Sequence, residues 1–163
     1  MSRSKKVSPS DIKSITRQLV QFGEQLYTLS RLEINTKLAK HDLKYSQWLI
    51  LSCIHREEVI TPSKVASKLG MERATVSRNL DFLESRNLLK RTHNLTDRRV
   101  VEIEITAAGR KMVQAGSQRL EQIFGDVLNS STAQECNQFV TLLDRIGEEL
   151  HGRIGDLTRP GSD

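Results

Sequence analysis

Apolar residues return at spacings of three and four along the first forty positions. Ile12, Ile15, Leu19, Phe22, Leu26 and Leu29 form a heptad-like seam, and Ile34 and Leu38 extend it. The pattern predicts one long helix from Pro9 to about Lys40, capped by Ser8 or Ser10, with Asp11 in its first turn. A seam this long on a terminal helix calls for another helix to cover it. His41 to Lys44 is then a short connection. Ser46 to His55 reads as a second helix, with Trp48, Leu49, Leu51 and Cys53 or Ile54 turned inward. Glu57 and Glu58 close it, and Val59-Ile60 is a brief extended link.

Thr61-Pro62-Ser63 opens a third helix. Thr61 is a good cap, and Pro62 at the first helical position loses no needed donor. Val65, Ala66 and Leu69 give its buried face, and Gly70 ends it in a turn. A fourth helix runs from Arg73 to Arg86, with Val76, Leu80 and Leu83 on the apolar side and Glu72 at the cap position. Two strands follow. The first is Leu88 to His93. In the second, Val101, Ile103 and Ile105 alternate with Glu102 and Glu104, the period of a half-buried strand. Asn94 to Arg99 is the polar turn between them. A fifth helix covers Ala107 to about Leu128. Thr132 with Glu135 three positions on has capping-box spacing for a sixth. Phe139, Leu142, Leu143, Ile146 and Leu150 are its stripe, and a frayed tail is expected after Gly152.

A helix, a Gly turn, a second helix and a hairpin make a winged helix-turn-helix. The fold expected is mainly α with a small β-hairpin wing and helices at both ends for dimerisation. The divisions are an N-terminal arm and dimerisation helix (1–40), a winged helix-turn-helix region (41–106), C-terminal dimerisation helices (107–152) and a flexible tail (153–163). Together they form one intertwined domain of about residues 10–152. The dimerisation set comprises Ile12, Ile15, Leu19, Phe22, Leu142, Ile146 and Leu150.

Charge supports a phosphate partner. The net charge is +5, and residues 61–106 carry 9 Lys/Arg against 6 Asp/Glu while residues 107–163 carry 6 against 8. The middle of the chain is therefore the part suited to nucleic acid. No apolar stretch approaches the roughly 18–20 residues of a membrane span, and nothing at the N-terminus resembles a signal peptide. A cytoplasmic protein without a membrane partner is expected.

The major groove admits one helix and distinguishes bases by their donors and acceptors. The fourth helix crowds Arg73, Ala74, Thr75, Ser77, Arg78 and Asn79 into its N-terminal half, opposite Val76 and Leu80. Arginine bonds guanine in a bidentate way, serine and threonine meet bases or phosphates, and the Ala74 and Thr75 methyls suit thymine. Ser63 at the start of the preceding helix joins this set. In the wing, Arg98 and Arg99 sit at the hairpin tip. Arginine is drawn into a narrow minor groove by its negative potential. Asp97 is expected to hold an adjacent guanidinium by bidentate pairing.

These residues resemble the MarR family of winged helix-turn-helix transcription factors, over nearly the whole chain. Asp97-x-Arg99 with Thr106 and Gly109 looks like the family's wing signature. Leu43 with Gln47-Trp48 looks like that of its second helix. Thr61-Pro62-Ser63-x-Val65-Ala66-x-x-Leu69-Gly70 and Thr75-Val76-Ser77-Arg78-x-Leu80-Asp81-x-Leu83-Glu84 look like its two reading helices. The resemblance implies a homodimer on a pseudo-palindromic operator in double-stranded DNA, more often a repressor than an activator. It also implies Arg99 as the minor-groove arginine, with Arg98 nearer phosphates. Lys44 and Glu72 depart from the family's usual Ser/Thr caps, which puts operator preference in question.

The resemblance further implies a small anionic or phenolic effector, bound between the dimer and DNA lobes, that releases DNA. Arg31, His41, Tyr45, Trp48 and His55 are candidates by their nearness to that junction. Some relatives sense oxidants through a first-helix cysteine; here the cysteines are Cys53 and Cys136, so that route is not expected. There is no phosphate-binding glycine loop, activated serine motif or His-Glu-x-x-His, and no metal or cofactor is expected. The chain reads as a binding protein and not an enzyme. The alternative to a regulator is an architectural, weakly specific DNA-binding protein without an inducer.

Overall fold

A computed structural model describes residues 8–57, 60–94 and 96–157. In chain order the elements are α1 (Pro9–Leu38), a 3₁₀ turn (Ala39–His41), α2 (Tyr45–Glu57), α3 (Pro62–Leu69), α4 (Arg73–Ser85), β1 (Leu89–His93), β2 (Val101–Ile105), α5 (Ala107–Leu128) and α6 (Ala133–Leu157). The fold is mainly helical with one antiparallel hairpin. The basic arm Met1–Val7, and Val59 in the expected link, lie outside the described residues.

Side-chain caps set the starts of α1, α3 and α5. Ser8 Oγ accepts the Asp11 N–H at 3.2 Å, Thr61 Oγ1 accepts the Lys64 N–H at 3.4 Å, and Thr106 Oγ1 accepts the Gly109 N–H at 3.1 Å. Each takes one of the donors a helix start leaves unpaired. Gly70 ends α3 at φ +60°, a left-handed conformation that costs glycine little.

The core is built around α2, which packs on α1, α3, α4, α5 and β2. Ile34, Leu38, Ile50, Leu51, Ile54, Val65, Val76, Leu80, Leu83 and Ile103 are fully buried there. Each such side chain contributes about 1.5–3 kcal/mol by leaving water. In the hairpin Leu89 faces Ile105, Arg91 faces Ile103 and His93 faces Val101. Ile60 bridges to Ile103 through reciprocal backbone hydrogen bonds of 2.8 and 3.4 Å, adding a one-residue third strand.

The structure corrects several sequence-based boundaries. α1 stops at Leu38, and its last turn tightens to 3₁₀ before Asp42 takes a left-handed φ of 55°. In α2 Ile50 joins Leu51 and Ile54 among the fully buried residues, and Leu49 is only half-buried. The strand begins at Leu89, one residue late, because the Leu88 N–H is taken by the Leu83 carbonyl at the end of α4, at 3.0 Å. α6 continues through Leu157 instead of fraying after Gly152.

The seam along α1 divides in two. Ile34 and Leu38 enter the chain's own core, and Leu26 and Leu29 are half-buried. Ile12, Ile15, Leu19 and Phe22 stay 46–54% exposed. On α6, Phe139, Leu142, Leu143 and Leu150 are likewise exposed, and Ile146 is half-buried. Large apolar faces on both terminal helices are thus unpartnered within one chain.

Candidate nucleic-acid interface

α4 is held by one side and open on the other. Val76, Leu80 and Leu83 are 0–1% exposed in the core. Arg73, Ala74, Ser77 and Arg78 are exposed, and Thr75 and Asn79 are half-buried. Two of these side chains are engaged with their own helix. Asn79 Nδ2 donates to the Thr75 carbonyl at 2.9 Å, and Arg78 Nη2 donates to Thr75 Oγ1 at 3.3 Å. Arg73, Ala74 and Ser77 make the more open reading surface.

Ser63 is exposed and lines an open groove of about 370 Å³ between α3 and the start of α4, with Ser67, Gly70, Glu72 and Arg73. Glu72 occupies the cap position of α4, and its side chain makes no cap hydrogen bond.

The wing is fixed to α4 by Arg91, a residue that sequence reasoning passed over. Its Nη1 lies 2.7 Å from Asp81 Oδ1 and 3.3 Å from Glu84 Oε2, and its backbone N–H donates to Glu84 Oε1 at 3.1 Å. Strand alternation puts Arg91 on the same side as Leu89, so a charge there needs partners. That alternation was the available signal.

At the tip, the Asp97 carbonyl accepts the Val100 N–H at 2.9 Å, which makes Arg98 and Arg99 the two central residues of a β-turn. Asp97 Oδ1 accepts the backbone N–H of Arg99 at 3.0 Å. The expected bidentate pairing of Asp97 with a guanidinium does not form: Arg99 Nε is 4.0 Å away, and the Arg99 side chain is 96% exposed. Asp97 organises the turn's backbone and leaves the arginine unrestrained.

The five effector candidates do not converge on one place. Tyr45 and Trp48 stack with centroids 6.0 Å apart, and Tyr27 meets Tyr45 edge-on at 5.6 Å. Burial, with Tyr27 beside it, pushes the Tyr45 hydroxyl pKa up. Trp48 is buried, and its Nε1 donates to the Val113 carbonyl at 3.2 Å. Arg31 and His41 are exposed. His55 lies elsewhere, lining an open cleft of about 570 Å³ with Lys90, Glu104, Ile105, Thr106 and Arg110. Cys53 is 2% exposed and burial raises its thiol pKa, which suits a small core residue and not a redox sensor.

Among the described residues no group of three His, Cys, Asp or Glu is placed to hold a metal, and no helix is long and apolar enough to cross a membrane.

The family model described as "MarR family" matches residues 43–101, which contain α2 to the start of β2. The chain is 25% identical over 146 residues to the HTH-type transcriptional regulator PapX of Escherichia coli, covering 83% of this chain and 87% of that protein. Its fold is similar to that of the reduced form of MarR from E. coli, with a TM-score of 0.66 at 22% identity over 87% of this chain and 98% of that one. A mutant MarR from E. coli crystallised in complex with operator DNA aligns with a TM-score of 0.62 at 22% identity, over 79% of this chain and 93% of that one.

Proposed function

We propose that the chain, which matches the MarR family model over residues 43–101 and is similar to transcriptional regulators of the helix-turn-helix type, works as a homodimeric repressor on a pseudo-palindromic operator. Residues 41–106 are the reading unit in this proposal, and residues 1–40 and 107–152 carry the dimer. α4 enters the major groove, leading with Arg73, Ala74, Thr75, Ser77, Arg78 and Asn79. Ser63 meets the backbone, and Arg98 and Arg99 reach the adjacent minor groove on a turn organised by Asp97. Two such units, related by a twofold axis, would meet half-sites roughly 34–36 Å apart.

The observation that carries this reading is the split along α4. A helix with three core-buried apolar residues on one side and exposed Arg73, Ala74, Ser77 and Arg78 on the other is both held and readable. The exposed Ile12, Ile15, Leu19 and Phe22 on α1, with Leu142 and Leu150 on α6, support the dimer. Apolar patches of this extent mark association surfaces. Release by a small anionic or phenolic ligand is part of the same proposal. Its support is the aromatic cluster that Tyr27 of α1 forms with Tyr45 and Trp48 in the first turn of α2.

The test is fluorescence anisotropy with DNA from the protein's own upstream region, with random DNA as competitor and salt varied. A regulator prefers its site by about 10³-fold or more and binds two subunits per site. Weak binding that salt removes and sequence does not alter would point instead to an architectural protein. Benzoate or phenol added to the complex probes release.

A further inference from the structure

The segment Asn94–Val100 contains neither glycine nor proline, yet it must present two arginines on a tight turn. Its backbone is held by two side chains, those of His93, the last residue of β1, and of Asn94, the residue after it. His93 forms the last register pair of the hairpin, with Val101, and its Nδ1 lies 2.9 Å from the Arg98 carbonyl oxygen. A carbonyl only accepts, so Nδ1 carries the proton and Nε2 takes no part in this bond. Asn94 Oδ1 accepts two backbone donors, the N–H of Thr96 at 2.8 Å and of Asp97 at 3.0 Å. Its Nδ2 donates to the Glu102 carboxylate on β2, which fixes the way the amide faces. The Asn94 N–H donates to the Val100 carbonyl at 2.9 Å and closes the loop. The arginine side chains receive no such restraint, as Arg99 shows.

We propose that His93 and Asn94 are positioning residues for DNA binding: they hold the wing backbone in the shape that presents Arg98 and Arg99, and touch no DNA themselves. The inference rests on the reading of the wing as a DNA-contacting element. Its physical content is preorganisation. A loop already ordered before binding loses less conformational freedom on contact, and affinity rises without any added contact.

The experiment is a set of double-mutant cycles on the full chain with its selected operator. His93→Ala and Asn94→Ala each weaken binding about three- to tenfold, the worth of one net hydrogen bond. In the Arg98→Ala/Arg99→Ala background the same substitutions have no effect, because there is nothing left to position. His93→Asn, whose amide nitrogen falls near the place of Nδ1, restores affinity; His93→Gln, which mimics Nε2, does not. In the free protein, Asn94→Ala speeds hydrogen exchange at the Thr96 and Asp97 amides while leaving core amides protected. Full effects persisting in the arginine-free background would overturn the proposal. So would rescue by Gln in place of Asn, which would make Nε2 a direct DNA contact. Failure of the wild-type chain to bind any DNA above random would instead remove the regulator reading, and this inference with it.

Discussion

The indole of Trp48 rests on Gly116. Trp48 Nε1 donates to the Val113 carbonyl in α5, and a methyl group at Gly116 would overlap Nε1 and Cδ1 of the same ring. α2 and α5 approach this closely because position 116 has no side chain. The contact joins the helix at the centre of the core to the one that leads toward α6.

Gly116→Ala is therefore expected to destabilise the fold. Forcing a methyl into a packed contact costs about 1–3 kcal/mol. The gain of about 1 kcal/mol from replacing a helical glycine by alanine does not offset it. Urea unfolding should show a lower midpoint at an unchanged slope. A midpoint equal to wild type would mean that Trp48 moves aside without cost.

Arg99→Ala should weaken operator binding by about 1–3 kcal/mol. Its side chain has no ion pair closer than 4.0 Å and is almost entirely exposed, so fold stability should be unaffected. Anisotropy titration and thermal melting together check both halves. Wild-type affinity in the variant would remove wing insertion from the mechanism.

Much of this was legible in the sequence, and the reasons differ by element. α3, α4 and the hairpin follow local rules: a Thr-Pro start, a Gly stop and alternation in the second strand. Their boundaries were accordingly found to within a residue. The seam on α1 was visible, but its division was not. Ile34 and Leu38 are buried by their own chain and Ile15 and Leu19 are not, and periodicity carries no record of which partner covers which turn. The role of Gly109 was hidden in the same way. It was matched as a motif residue, whereas the physical reason is that a methyl there would collide with the Leu88 carbonyl and the Ile105 side chain. Arg91 and His93 were missed because their partners lie on other elements: Asp81 and Glu84 on α4, and the Arg98 carbonyl in the turn.

Ile15→Asp with Leu19→Asp should dissociate the proposed dimer and weaken operator binding together. Both side chains are about half exposed in the single chain, so the substitutions leave the internal core intact. Sedimentation gives the mass and circular dichroism the helix content. A folded monomer that still binds the full operator at wild-type affinity would refute a dimeric reader.

The start of α6 should be acid-sensitive. Glu135 Oε2 accepts the Thr132 N–H and Oγ1–H, both at 2.8 Å, and the Glu135 N–H donates back to Thr132 Oγ1 at 3.3 Å. These bonds, first the one from the Thr132 backbone, hold the Glu135 pKa below the usual glutamate value. A lowered folded pKa stabilises the fold above the unfolded value, near 4.3. That contribution is lost as pH falls through the lowered folded value. Glu135→Gln should remove this part of the pH dependence while changing little else. An identical acid profile in the variant would show that the box contributes nothing to stability.

Glu72 is where stability and DNA affinity should separate. It caps α4 in an extended conformation with no side-chain cap bond, beside Arg73 on the groove-lining side. Replacing it by serine would add a cap bond worth about 1 kcal/mol. The same change would remove a carboxylate that favours the positive helix end by about 0.3–1 kcal/mol. The two nearly cancel, so the melting temperature of Glu72→Ser should move little. On DNA they do not cancel, because a negative charge facing phosphates is lost and nothing favourable goes with it. Affinity for random DNA should therefore rise, most at low salt where screening is weakest. If Glu72 instead accepts from a cytosine amino group in the operator, random-site affinity would still rise while the preferred site lost affinity. Titrating both DNAs at two salt concentrations distinguishes repulsion from readout, and unchanged binding to both would take Glu72 out of the interface.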